Sequence, residues 1–97
     1  MLELGGNIQL SGFSNIEPSK MIVIKKMVGN HVKKLDFTQI KVNLLKLTLK
    51  NIHSEKLFEI HGYLETNGKI YQSDATDHNL FFGLNKVLTG ITPKTKE

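Results

Sequence analysis

Thirteen lysines and no arginine carry the main chemical character of this 97-residue chain. Lys25, Lys26, Lys33 and Lys34 fall close together, and Lys86 stands in a later apolar segment. Formal charge is +4 at pH 7 and the pI is about 9.4, an excess that favours an anionic partner if the lysines share a surface. Lysine ammonium groups meet phosphates as point charges and release condensed counterions when they do. The planar, bidentate grip of arginine is absent. For any one lysine the plainer reading is a solvated helix face.

The other reactive side chains do not assemble into machinery. His31, His53, His61 and His78 lie on different expected elements, without the i, i+4 spacing of helix-borne metal ligands. There is no cysteine, which removes disulfides, thiol catalysis and cysteine zinc sites and fits a reducing compartment. No nucleophile elbow, phosphate loop or dinucleotide fingerprint occurs, and Gly29-Asn30-His31 does not make the GxxG of a KH module. No catalysis, metal or cofactor is expected.

The lysines must be positioned by elements registered on Asn67-Gly68, a pair that supplies the φ > 0 of a type I′ hairpin turn. Pairing Thr66 with Lys69 sets Leu64 opposite Tyr71, Gly62 opposite Ser73 and Ile60 opposite Ala75 on one face. The other face then carries Glu65 with Ile70, Tyr63 with Gln72 and His61 with Asp74. His61 and Asp74 are expected as a surface pair rather than an acid–base couple. The first face is apolar or small and needs a cover, and the second is wet.

Before the hairpin, Asn7 to Phe13 alternates as a first strand. Pro18 suits the first turn of a helix to Leu35, in which Met21, Ile24, Val28, Val32 and Leu35 form one stripe. Lys26, Lys33 and Lys34 then lie opposite that stripe, with Lys20 and Lys25 towards the flanks. Gly29 weakens this helix by about 1 kcal/mol. From Asp36 to Lys50 a strand alternates in one phase through Ile40, Val42 and Leu44, and in the other through Leu45, Leu47 and Leu49. That slip predicts a bulge at Leu44-Leu45. Asn51 to Glu55 reads as a loop, and strands follow at Leu57 to Thr66 and Lys69 to Ala75. A last helix begins near a cap at Thr76 or Asp77, buries Leu80, Phe81, Leu84, Val87, Leu88 and Ile91, and ends at Gly90 and Pro93. Val23 and Phe82 point outward, where a lone apolar residue or a homodimer patch is preferred to base stacking.

The expectation is one α+β domain spanning 1–97, with about 7–92 structured and 1–6 and 93–97 as loose ends. It is a two-layer sandwich of order β-α-β-β-β-α, a four-stranded sheet with two helices packed on one face. Met21-Ile22-Val23-Ile24 and Leu80-Phe81-Phe82 are too short to span a bilayer. No basic segment with a following apolar block opens the chain, so a cytoplasmic protein without membrane contact is expected.

This order and several residues together resemble the short form of the ribosome hibernation-promoting factors, also called ribosome-associated translation inhibitors. Ile8, Leu10 and Gly12 stand in the family's first-strand pattern I-x-I-x-G, and Lys33, Lys34 and Leu35 match the basic end of its first helix. Its second helix reads approximately D-x-Y-x-A-I-D after an acidic entry. Here Ser73-Asp74 leads into Asn79, Phe81, Gly83, Leu84 and Asn85. The family's second helix usually runs on into Lys and Arg, whereas here Lys86 is followed only by Lys94 and Lys96. The resemblance implies binding to the small ribosomal subunit and its rRNA, in the channel of mRNA and tRNA anticodons, which inhibits translation and protects idle ribosomes. The corresponding surface is Lys25, Lys26, Lys33 and Lys34 with Lys86, merged across helices that lie side by side.

Two other readings compete. A general double-stranded RNA-binding module shares the helix, three-strand, helix core, but Asp77-His78-Asn79 is acidic where that family is basic. A homo-oligomeric interaction or ligand-binding domain would use the sheet's open face, with a weak homodimer as its simplest form.

Overall fold

Asn67 and Gly68 have φ of 51° and 78°, the left-handed pair the hairpin turn requires. The structure, a computed structural model, describes residues 2–3, 7–52 and 56–92. Its elements are β1 (Leu2–Glu3), β2 (Ile8–Ser11), α1 (Pro18–Phe37), β3 (Leu44–Ile52), β4 (Leu57–Thr66), β5 (Lys69–Asp77) and α2 (Leu80–Gly90). The expected hairpin register is the observed one: Thr66 pairs Lys69, Leu64 pairs Tyr71, Gly62 pairs Ser73 and His61 pairs Asp74.

Strands β2 to β5 form a mixed four-stranded sheet in sequence order, and β1 adds two residues at its edge. The β2–β3 pair is parallel, with Ile8 opposite Leu45 and Leu10 opposite Leu47, and α1 is the crossover that a parallel pair requires. The β3–β4 pair is antiparallel, with Leu45 opposite Leu64 and Leu47 opposite Gly62. Rows of residues on the covered face therefore cross β2 to β5: Ile8, Leu45, Leu64 and Tyr71, then Leu10, Leu47, Gly62 and Ser73. Both helices cover this face. Ile24, Val28 and Leu35 of α1 and Leu80, Leu84, Val87 and Leu88 of α2 join the strand residues in one core. The expected two-layer α+β sandwich is the fold found.

At Gly12 φ is +83°, and a Cβ there would collide with the Leu49 carbonyl. The glycine that closes the I-x-I-x-G pattern thus lets the chain leave β2 against the backbone of β3.

Five boundaries differ from the sequence expectation. Leu2–Glu3, expected in a loose start, pairs with Leu10 and Gln9. No bulge interrupts β3: the strand starts at Leu44, and Ile40 and Val42 are buried ahead of it as part of the crossing from α1. That crossing is pinned by side chains. Asn7 Nδ2 donates to the Val42 carbonyl at 3.0 Å, the Asn67 N–H to Asn43 Oδ1 at 3.1 Å, and the buried Thr66 hydroxyl to the Lys41 carbonyl. Alternate burial in 40–42 comes from these clasps rather than from ladder pairing. Third, α1 runs on to Phe37 and closes with Gln39 at φ 65°: the Gln39 N–H donates to the Asp36 carbonyl and the Ile40 N–H to that of Leu35. This is the Schellman pattern, with Leu35 and Ile40 as its apolar contact. Fourth, β5 continues to Asp77 and the cap of α2 is Asn79, because β4 begins early enough for Phe58 to pair Asp77. Asn51 and Ile52, expected in a loop, continue β3, while residues 53–55 lie outside the described residues. The expected loose C-terminus at 93–97 also lies outside them, as do Met1 and residues 4–6.

Candidate nucleic-acid interface

Helix α1 starts at Pro18, whose fixed φ and missing N–H fit the first helical position. At about 100° per residue, the buried Ile24, Val28 and Leu35 set the inward direction, and Lys26 and Lys33 lie diametrically opposite. These two lysines stand about 10 Å apart along the axis, two turns of helix. Lys25 and Lys34 project from the two flanks. All four are exposed, and among the described residues none of them forms an ion pair. Lys20, in the first turn, instead meets Glu17, the residue just before the helix, at 3.6 Å. Ile22 and Val23 are exposed on the same outer surface, as expected for Val23.

Lys34 leans towards the side of α1 that faces α2. On that side the half-buried His31 shares a hydrogen bond with the Thr92 hydroxyl at 2.8 Å, and Thr92 donates to the Leu88 carbonyl at 2.7 Å. With its proton committed to Leu88, the hydroxyl accepts from Nε2–H of a neutral imidazole. Burial, and then the charge of Lys34, hold the His31 pKa below its ordinary value.

Lys86 is elsewhere. It is exposed on α2, but its Nζ bonds Asp77 Oδ2 at 3.0 Å at the end of β5. The same flank of α2 carries Gly83 and Gly90, which abut Asp77 and Ser73 of β5. The structure therefore does not bring Lys86 beside the α1 lysines, and the single five-lysine patch expected from the helical wheels divides in two. A wheel gives the outward direction of each helix but not which flank meets the neighbour. Asp77 also accepts from the Asn79 N–H at 2.8 Å; this bond first, and Lys86 second, lower its carboxyl pKa. Asn79 in turn caps α2 by accepting from the Phe81 and Phe82 N–H groups at 2.9 and 3.0 Å.

On the open sheet face the expected His61–Asp74 pair is present, Nδ1 to Oδ1 at 2.7 Å. Glu59, two residues back on the same face, adds a carboxylate 3.0 Å from Nε2, close enough to ion-pair but out of line for a hydrogen bond. Tyr63 is half-buried beside Glu65. Among the described residues no cluster of histidine and carboxylate side chains converges as a metal site. None of the described helices is long and apolar enough to cross a membrane.

Two hollows flank α1. One of about 590 Å³ lies under its first turns, lined by Phe13, Ile16, Met21 and Ile22 with Lys25 among its lining residues. The other, about 460 Å³ and open, is formed by Lys33, Lys34, Asp36 and Phe37 at the far end. Phe37 is the residue that sequence reasoning missed. The apolar spacing ends the helix at Leu35, yet α1 continues through Phe37, and a wheel extended by two residues sets it four positions from Lys33 on the outer stripe.

No family model and no curated protein matches the chain. Among solved structures it is similar to the N-terminal domain of Thermus thermophilus Protein Y. That likeness covers 84% of each chain with a TM-score of 0.61, at 11% sequence identity. The chain thus shares the fold of the Protein Y N-terminal domain.

Proposed function

We propose that this protein is a non-catalytic RNA-binding translation regulator. It binds the small ribosomal subunit through rRNA in the mRNA and tRNA channel, inhibits translation there and protects idle ribosomes in the cytoplasm. The observation that carries the reading is the outer surface of α1, where Lys25, Lys26, Lys33 and Lys34 are exposed without carboxylate partners among the described residues. The motif resemblance to the hibernation-promoting factors and the fold shared with the Protein Y domain both support it. Lys86, held by Asp77, contributes from a separate flank. The entry to α2 presents Asp77, paired with Lys86, where a double-stranded RNA module presents free basic residues, which disfavours that groove-straddling contact.

Co-sedimentation with small ribosomal subunits over a salt series tests the reading, with a Lys26→Glu/Lys33→Glu/Lys34→Glu variant alongside. Four phosphate contacts give a slope of about −3 in log affinity against log salt, so binding should fall roughly 50-fold between about 50 and 200 mM. The variant should stay in the supernatant while keeping its circular dichroism. Absence of wild-type pelleting at low salt would refute the ribosomal reading.

A further inference from the structure

The α1 stripe ends in an aromatic ring with almost no protein around it. Phe37 is 94% exposed, more than any other large apolar side chain described. Isolated exposed apolar residues are ordinary on protein surfaces, so exposure alone identifies nothing. Its neighbours distinguish it. Lys33 and Lys34 stand four and three residues earlier, the spacing that brings side chains together on a helix, and with Asp36 they form the 460 Å³ hollow beside the ring.

The chain that carries the ring is held in place. Leu35 and Ile40, both buried, clamp the chain on either side of it, and the Thr38 hydroxyl donates to the Leu35 carbonyl at 2.9 Å. The Gln39 N–H closes on the Asp36 carbonyl at 2.9 Å and the Ile40 N–H on that of Leu35 at 2.8 Å. The backbone that presents Phe37 is therefore fixed while its side chain is open to solvent. A flat apolar surface on a rigid mount, beside two ammonium groups, has the chemistry that single-stranded nucleic acid offers to meet: a base face and the phosphates next to it. A duplex keeps its base faces stacked and cannot use the ring.

We infer that Phe37 is a stacking platform for one unpaired nucleobase, with Lys33 and Lys34 on the phosphates beside it, so that the RNA recognised by α1 is single-stranded at this end of the helix. The inference rests on the RNA-binding reading of α1 and specifies which form of RNA it takes.

The chain contains no tryptophan, so Phe37→Trp introduces a single reporter at the proposed contact. Wild type, Phe37→Ala, Phe37→Trp and Lys33→Glu/Lys34→Glu are titrated at low salt with a short oligouridylate and with an RNA duplex of matched charge. Phe37→Ala should lose on the order of tenfold in affinity for the single strand and less than about twofold for the duplex. The lysine variant should weaken on both. Phe37→Trp should bind the single strand at least as well as wild type, with its emission quenched by the single strand and not by the duplex. Equal single-strand affinity of Phe37→Ala and wild type, or equal quenching by both RNAs, overturns the stack and leaves the ribosomal reading standing. A concentration-dependent wild-type dimer that dissociates in Phe37→Ala at unchanged RNA affinity also overturns it, by assigning the ring to a second copy of the chain. If wild type binds neither RNA at low salt, the stack and the RNA-binding reading fall together.

Discussion

Gly62→Ala is a severe small change at the sheet–helix interface. Gly62 stands in the middle of β4 on the covered face, and a Cβ there would overlap Val87 Cγ1 of α2 and touch Ile91 Cγ2 at 3.4 Å. Its backbone is ordinary strand, so the penalty is steric alone. Val87 and Ile91 are fully buried and have nowhere to retreat, so α2 must lift from the sheet. Overpacking of this kind costs about 1–3 kcal/mol, which in a domain of this size lowers Tm by roughly 4–8 °C for each kcal/mol. The cause can be isolated by a second substitution. Val87→Ala alone removes two buried methyl groups and should cost about 2 kcal/mol. In the double variant the methyl added at position 62 occupies space vacated by Val87, so the protein should be at least about 1 kcal/mol more stable than the sum of the singles predicts. Urea melts of the four proteins measure the coupling. Additivity within about 0.5 kcal/mol would refute the argument, since it would mean that positions 62 and 87 do not compete for one volume.

Three other substitutions follow from single features. Gly29→Ala should stabilise the fold by about 1 kcal/mol in the same melts, because a Cβ at Gly29 meets nothing within 4 Å. Asn79→Ala should destabilise it by about 0.5–2 kcal/mol, by freeing the Phe81 and Phe82 N–H groups that the Asn79 side chain now satisfies. His31 gives a pH dependence whose sign is fixed by its lowered pKa: the unfolded chain takes up the proton first as pH falls below 6.5. The stability linked to His31 is therefore complete above that pH and is lost as pH falls towards the lower folded-state value. Wild type should lose more stability than His31→Gln between about pH 7.5 and 5.5 in paired denaturant melts, and equal losses would remove His31 as the cause.

The hairpin register can be read without the structure because Asn67-Gly68 admits one turn geometry and every later pairing counts from it. The lysine stripe of α1 is legible for a similar reason, since helical spacing is local arithmetic. What escapes the sequence depends on distant partners. The phase slip at Leu44-Leu45 is real in the burial pattern, but burial does not distinguish a ladder from a crossing clasped by Asn7, Asn43 and Thr66. The stretch from Thr76 to Asn79 offers three residues able to cap α2, and the length of β4 decides among them. Phe37 escapes for want of two helical residues, because the residue that stops α1 is Gln39, in a left-handed conformation more typical of glycine.

The parallel β2–β3 pair has a consequence for the order in which the molecule is assembled. From β3 onward each element pairs with or packs on its immediate predecessors, whereas Ile8 finds its partner at Leu45, 37 positions later. Loop closure of that span must be met before any ladder bond rewards it. During synthesis at about 5–20 residues per second, β2 waits roughly 2–7 s before its neighbour has even been made. Pulse-labelled hydrogen exchange should accordingly find the amides of β4 and β5 protected before those of β2. Strand β2, made before β3, β4 and β5, is on this reckoning laid down after them.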